Sequence, residues 1–114
     1  MDCFVIYQLM FLILDELNDE NQNETLITYL TDADPFMRRG ENSVDEVVYD
    51  EFKESYAKNS DKTDYSYEFV CDYLKNLDPY YGDIYSIFKT LTKDEYIDTC
   101  KNILENKSNL LKKV

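Results

Sequence analysis

The chain has no histidine and only two glycines, Gly40 and Gly82, among its 114 residues. Histidine is the commonest general base of enzymes and the base of most nucleophile triads. A loop that cradles phosphate needs several glycines close together. We therefore expect no enzyme activity, no catalytic residue and no cofactor.

Carboxylates are the side chains left that could perform acid–base or metal chemistry. Asp32 and Asp34 suggest a pair of metal ligands, but an EF-hand loop that begins at Asp32 would place Met37 where the loop needs glycine. Ser43 would stand where the bidentate glutamate belongs. We expect no metal site, and a carboxylate metalloenzyme stays as a further alternative that metal uptake would test.

Cysteine is scarce and unpaired, because Cys3, Cys71 and Cys100 are an odd number at spacings of 68 and 29 residues. Neither a disulfide framework nor a zinc site has such spacings. All three lie among apolar residues, which is typical of buried free thiols in a reducing compartment. This pattern predicts a cytoplasmic protein.

Basic residues are few: 12 lysines and arginines stand against 24 aspartates and glutamates, a net charge of −12. Residues 1–100 hold 8 basic and 23 acidic side chains, net −15, whereas residues 101–114 are net +3. Such a field repels nucleic-acid backbones and attracts cationic surfaces. We expect no direct nucleic-acid binding, although the same charge is also typical of a soluble protein kept apart from its neighbours by repulsion.

One long apolar run is present, CFVIYQLMFLIL at residues 3–14, twelve residues where a membrane-spanning helix needs about twenty. The segment before it has no positive charge and the segment after it no cleavage site of small residues. We expect a core helix over residues 3–17 that stays in the mature protein and does not enter a membrane. A buried strand is the rival, but fifteen residues favour a helix.

Helix caps recur along the rest of the chain. Asn23 predicts a helix over residues 24–31, and the pairs Ser43 with Glu46 and Thr92 with Glu95 are capping boxes. Further helices are predicted over residues 64–77 and 78–91, the second begun by an Asp-Pro pair, and residues 110–114 could prolong the last helix. The fold predicted for residues 1–114 is all-α, a single-domain bundle of about six helices around a central apolar N-terminal helix.

The buried faces of these helices follow from the spacing of their apolar residues. The predicted inward residues are Leu26, Ile27 and Leu30, then Val44, Val47, Val48, Phe52 and Tyr56, then Tyr67, Val70, Leu74 and Leu77, then Ile84, Ile87, Phe88 and Leu91, and finally Tyr96, Ile97, Cys100, Ile103 and Leu104.

Tyrosines and aspartates are concentrated in DYSYEFVCDYLKNLDPYYGDIYSIF, residues 64–88. A helix turns by about 100° per residue, which places Tyr65 on the outer side of the predicted helix 64–77. In the predicted helix 78–91, Tyr80 and Tyr81 lie on the inner side of the first turn and Tyr85 lies on a flank. Most of these tyrosines are expected in the core or at its edge, with their hydroxyls reaching water. The others predict a protein interface, where tyrosine is enriched. The candidate partner-binding residues are Asp64, Tyr65, Glu68, Asp72, Asp78, Tyr80, Tyr81, Asp83 and Tyr85.

Residues 16–52 contain YLTDADPF and SVDEVVYDEF, and are followed by YLKNLDPYYGDIYSIF and KDEYIDTCKNIL. The chain thereby resembles a group of small acidic helical proteins of bacteria, in which a segment of the YLSDANPF type leads into SADPAVYEEF. That group is similar to the immunity partners of polymorphic or contact-dependent toxins. The resemblance implies a protein that binds and blocks a cognate toxin domain, often a nuclease.

Two functions are therefore predicted. The first is an immunity protein, a monomer or weak homo-oligomer, whose acidic, tyrosine-bearing surface neutralises a cognate protein toxin with a basic surface. The alternative is a non-enzymatic helical adaptor or structural protein that forms homo-oligomers through its first helix or its basic tail.

Overall fold

The first helix is enclosed by the rest of the chain. In the computed structural model, which describes residues 1–60 and 62–112, α1 spans Cys3–Glu20. Its buried residues lie on nearly every side of the helix: Phe4, Ile6, Tyr7, Gln8, Leu9, Met10, Phe11, Ile13, Leu14 and Leu17. The prediction of a central apolar helix is confirmed, and the rival strand is wrong.

The described residues form an all-helical bundle without a strand, which confirms the predicted fold class. The helices that follow α1 are α2 (Glu24–Ala33), α3 (Glu46–Lys58), α4 (Tyr67–Asn76), α5 (Asp78–Tyr81), α6 (Ile84–Phe88) and α7 (Lys93–Asn106). Two 3-10 turns, Asp64–Ser66 and Ser108–Leu110, complete the helical elements. No helix in this part of the chain combines the length and apolar character that crossing a membrane requires.

Two of the predicted caps are confirmed. The Asn23 side chain accepts a hydrogen bond from the Leu26 amide at the start of α2. At α7, Thr92 accepts from the Glu95 amide and Glu95 accepts from the Thr92 amide, so that the capping box is complete. These interactions are local, and sequence spacing identifies them directly.

The predicted capping box at Ser43 and Glu46 is wrong. Asp45 caps α3 through a hydrogen bond from the Val47 amide, while Ser43 is fully buried. The Ser43 hydroxyl accepts from the Tyr49 amide and donates to the Asp45 carbonyl oxygen. Helix α3 starts two residues later than predicted, and its buried stripe is Val48, Tyr49, Phe52 and Tyr56. Val47 lies beside that stripe and is 57% exposed rather than inward.

The predicted helix over residues 64–77 starts late. Asp64, Tyr65 and Ser66 have left-handed backbone conformations, with φ of 52°, 54° and 57°, which a right-handed helix does not accommodate. Helix α4 therefore begins at Tyr67. Its predicted inward residues Tyr67, Val70, Leu74 and Leu77 are all buried.

The predicted helix over residues 78–91 is two short helices. Gly82 has φ of 93° and separates α5 from α6, which Asp83 caps. A Cβ atom at residue 82 would lie 2.9 Å from Cγ2 of Thr25, so the glycine also permits close approach of α2. Ile84 and Phe88 are buried as predicted, and Ile87 and Leu91 are half-buried.

Aromatic rings link α1 to α3 and α4. The Phe52 ring lies 4.9 Å from the rings of Tyr7 and Tyr73 and 5.2 Å from that of Phe69, each pair edge to face. Buried hydroxyls in this cluster are satisfied, since Tyr7 donates to the Ala33 carbonyl oxygen at 2.6 Å. Such pairs add to the free energy of burial, and they fix how the helices pack.

The C-terminal segment closes over the longest loop, and it does not prolong α7 as predicted. The Lys112 ammonium donates to the backbone carbonyl oxygens of Pro35, Arg38 and Gly40. The Lys112 amide donates to the buried side chain of Gln8 at 2.7 Å. Residues 113 and 114, the last of the predicted prolongation, lie outside the described residues.

Shortening a buried side chain of α6 should destabilise the protein, whereas shortening an exposed side chain of α2 should not. Ile84 is fully buried, and Ile84→Ala should lower the free energy of unfolding by about 2 to 5 kcal/mol. Ile27, which was predicted to face inward, is 42% exposed, and Ile27→Ala should cost about 0.5 kcal/mol or less. Urea denaturation measures both, and equal losses would contradict the packing described here.

The capping box of α7 predicts a dependence of stability on pH. The hydrogen bond from the Thr92 amide lowers the pKa of the Glu95 carboxyl from its ordinary value of 4.5. Ionised Glu95 therefore favours the folded state above pH 4.5, and this contribution is lost as the pH falls through the lower folded pKa. Glu95→Gln should be less stable than the unsubstituted protein at neutral pH. The difference should shrink below pH 4.5 in urea denaturation, and a constant difference would contradict the prediction.

Candidate protein-binding surface

The acidic residues at the start of the predicted site are paired with a lysine of α7. Lys93 Nζ lies 3.2 Å from Oδ2 of Asp64 and 3.7 Å from Oε1 of Glu68. The hydrogen bond to Asp64 raises the pKa of Lys93, so its ammonium stays charged. These two carboxylates are thus partly neutralised by the chain itself.

Tyr65 was expected on the outer side of α4, and that placement is wrong. It lies in the left-handed turn before the helix and is half-buried against the core. Its carbonyl oxygen accepts a hydrogen bond from the Tyr96 hydroxyl at 2.8 Å. Tyr65 therefore helps to join this turn to α7.

Two other predicted residues are used inside the fold. The Tyr81 hydroxyl donates to Oδ2 of Asp32 at 2.8 Å, and its ring stands edge to face against Tyr29. Burial, followed by the hydrogen bond to Asp32, raises the pKa of Tyr81. Asp83 accepts from the amide and the hydroxyl of Ser86, and these bonds lower the pKa of Asp83.

Tyr85 and Asp78 lie at the edges of the same region. The Tyr85 ring is half-buried, with Lys75 Nζ 4.8 Å and Lys89 Nζ 5.9 Å from its centroid. Asp78 is exposed at the first position of α5. Two lysines of the chain thus already lie close to the Tyr85 ring.

Tyr80 is the tyrosine that projects into solvent. It is 80% exposed, so its predicted inward position is wrong. Helix α5 ends at Tyr81 after a single turn, and Tyr81 takes the inward position beside α2. All eleven tyrosines lie in the described part of the chain, and the other ten are buried or half-buried.

A groove beside Tyr80 runs between α3 and α4. Each helix contributes residues at positions i, i+3, i+4 and i+7, which form one stripe of a helix. The stripes are Glu51, Glu54, Ser55 and Lys58 on α3, and Phe69, Asp72, Tyr73 and Asn76 on α4; Leu77 and Tyr80 close one end. We call this cavity of about 320 Å³ the Tyr80 groove.

A second groove also borders Tyr80. It is lined by Asp45, Val47, Val48, Glu51, Tyr73, Leu77, Tyr80 and Tyr81. The two grooves share Glu51, Tyr73, Leu77 and Tyr80. We call the lining residues of both grooves together the Tyr80 face.

The charged residues of the Tyr80 face are mostly carboxylates. Asp45, Glu51, Glu54 and Asp72 stand against Lys58 alone. Within the described residues the ion pairs of the carboxylates are those with Lys93 and one of 4.0 Å between Asp72 and Lys75. Glu51 and Glu54 have no ion pair there, so their charges remain available to a partner.

The structure brings together only part of the predicted site. Asp72, Tyr80 and Tyr81 line the Tyr80 face, whereas Asp64 and Glu68 lie beside Lys93. The α3 carboxylates Glu51 and Glu54 were missing from the predicted site. Their spacing relative to Ser55 and Lys58 is visible in the sequence, but which stripe of α4 faces them is not.

Chemically reactive groups do not converge on this surface. Among residues 1–60 and 62–112, no three histidine, cysteine, aspartate or glutamate side chains form a group that could hold a metal ion. Cys71 and Cys100 are buried as predicted, and Cys3 is half-buried. Burial raises the pKa of the Cys100 thiol to about 12, which keeps it protonated at neutral pH.

Comparison of the chain with family models, with curated proteins and with solved structures gives no match.

Two adjacent tyrosines should respond differently to truncation. Tyr80→Ala should change the free energy of unfolding by about 0.5 kcal/mol or less, because the side chain is exposed. Tyr81→Ala should cost more, about 1 to 3 kcal/mol, because it removes a ring contact and leaves the hydrogen bond to Asp32 unmade. Thermal and urea denaturation of both variants measure this, and a large loss in Tyr80→Ala would show that Tyr80 is part of the core.

Proposed function

We propose that this protein is an immunity protein that binds a basic protein toxin and blocks it, acting in the cytoplasm without a cofactor. The observation that carries the proposal is the Tyr80 face. There an exposed aromatic side chain lines two grooves whose charged residues are mainly carboxylates. Tyrosine at the centre of a surface is typical of residues that dominate protein binding.

The charge of the whole chain supports the same partner. A net charge of −12 accelerates encounter with a cationic protein and opposes association with nucleic acid. A toxin that cleaves nucleic acid needs a basic surface for its substrate. An acidic protein that covers this surface would exclude the substrate by occupancy and by charge.

The rival function, an adaptor that joins copies through its first helix, receives less support. The apolar side chains of α1 are buried within one copy of the chain. In the basic tail, Lys112 is bound to backbone carbonyl oxygens of the same chain. The apolar side chains of α1 therefore cannot reach a second copy without partial unfolding, whereas Lys101 and Lys107 of the basic tail are exposed.

The proposal is tested by affinity capture with the product of the neighbouring gene. That product should retain the protein at low ionic strength and release it progressively as salt rises, since screening weakens charge attraction. Glu51→Gln should lower retention, whereas Glu105→Gln, a matched charge removal on α7, should not. Failure to capture the protein at low salt, or retention that ignores both salt and Glu51→Gln, would contradict the proposal.

A further inference from the structure

We infer that the Tyr80 groove receives an arginine side chain of the protein partner. The inference rests on the proposed function for the presence of a partner, and it specifies the contact at the centre of the interface. Three features of the groove carry it: the exposed ring of Tyr80, the carboxylates on both helices and the position of its acidic end beside Tyr80.

Tyr80 is the aromatic ring that a cation entering the groove can reach. Its side chain is 80% exposed, whereas Phe69 and Tyr73 also line the groove but are each only 7% exposed. A guanidinium group stacks on such rings, and the attraction grows as water is excluded. A chain with no tryptophan has in Tyr80 its largest exposed ring for this contact.

The carboxylates lie on both walls. Glu51 and Glu54 belong to α3 and Asp72 to α4, so a cation that enters between the helices meets negative charge from two directions. Among the described residues, the ion pair of Asp72 is an exposed one with Lys75 at 4.0 Å, which contributes little. The planar guanidinium can bond a carboxylate through two parallel hydrogen bonds, which an ammonium group cannot do.

The groove has an acidic end and a basic end. Ring pairs of Phe52 with Tyr73 and of Tyr56 with Phe69 show that α3 and α4 run antiparallel. Lys58, at the end of α3, therefore lies toward the start of α4, far along the groove from Tyr80. Glu51 lines the opposite end together with Tyr80, so the cation enters there.

Other occupants fit less well. An apolar helix would bury Glu51 and Glu54 without partners, which costs free energy. An acidic peptide would meet the four carboxylates of the Tyr80 face. A lysine side chain satisfies the charge, but it neither stacks as well nor forms paired hydrogen bonds.

The test uses a probe that needs no toxin. N-acetyl-arginine-methylamide is titrated into the ¹⁵N-labelled protein and followed by amide chemical shifts, with the corresponding lysine and norleucine compounds as controls. The arginine compound should shift amides around residues 51–54 and 69–80. The lysine compound should bind several-fold more weakly, and the norleucine compound should leave these amides unshifted.

Substitutions distinguish the contribution of the Tyr80 ring to binding from that of the Glu51 charge. Tyr80→Ala and Glu51→Gln should each weaken the arginine probe several-fold, whereas Tyr80→Phe, which keeps the ring, and Glu105→Gln, which removes a charge elsewhere, should bind as the unsubstituted protein does. Shifts spread over all acidic surfaces, equal binding of arginine and lysine compounds, or indifference to Tyr80→Ala would overturn the inference.

The titration with the arginine compound tests the groove, and the affinity capture tests the partner, so the two results can be told apart. If the neighbouring gene's product is captured but the probe does not bind the groove, the function stands and the arginine contact is wrong. If the probe binds the groove but the product is not captured, the groove stands and that partner is wrong.

Discussion

Enclosing α1 is the constraint on which the rest of this structure depends. A helix with ten buried residues on nearly every side cannot be covered by one neighbour, so α2, α3, α6 and α7 all contact it. Large rings close much of the space, and Phe52 touches rings from both α1 and α4. Tyrosine suits this role because its hydroxyl can find a hydrogen-bond partner inside the core, as Tyr7 does at Ala33 and Tyr29 does at Tyr73.

The same constraint decides what remains outside. Because most of the tyrosines are buried in the core, the outer sides of the helices carry mainly charged and amide side chains. Carboxylates outnumber basic side chains two to one in the sequence. Few of these carboxylates find a lysine within the described chain. Tyr80 lies in the single turn of α5, which ends before Gly82, and its side chain stays exposed. An unneutralised field and an exposed ring thus meet on one surface, and this coincidence gives the proposed binding function its location.

Sequence periodicity could predict what is local and no more. It identified α1, the Asn23 cap and the capping box of α7, because those depend on residues within four positions of each other. It placed Tyr65 and Tyr80 wrongly, because residues 64–66 form a left-handed turn and Gly82 breaks the predicted helix, at places where the distant residues Tyr96 and Thr25 lie against the chain. It also predicted the acidic side of α3, but not that this side lines a groove. The groove exists only between two helices, and their relative rotation is set by the distant ring contacts of Phe52.

Hydrogen–deuterium exchange of the protein with and without the neighbouring gene's product tests the central claim most directly. If the Tyr80 face binds the partner, amides of residues 45–58 and 69–81 become protected in the complex. Exchange at the exposed residues 37–39 and in α7 then stays unchanged. Protection confined to α7 or to residues 37–39, with the Tyr80 face exchanging as in the free protein, would contradict the account.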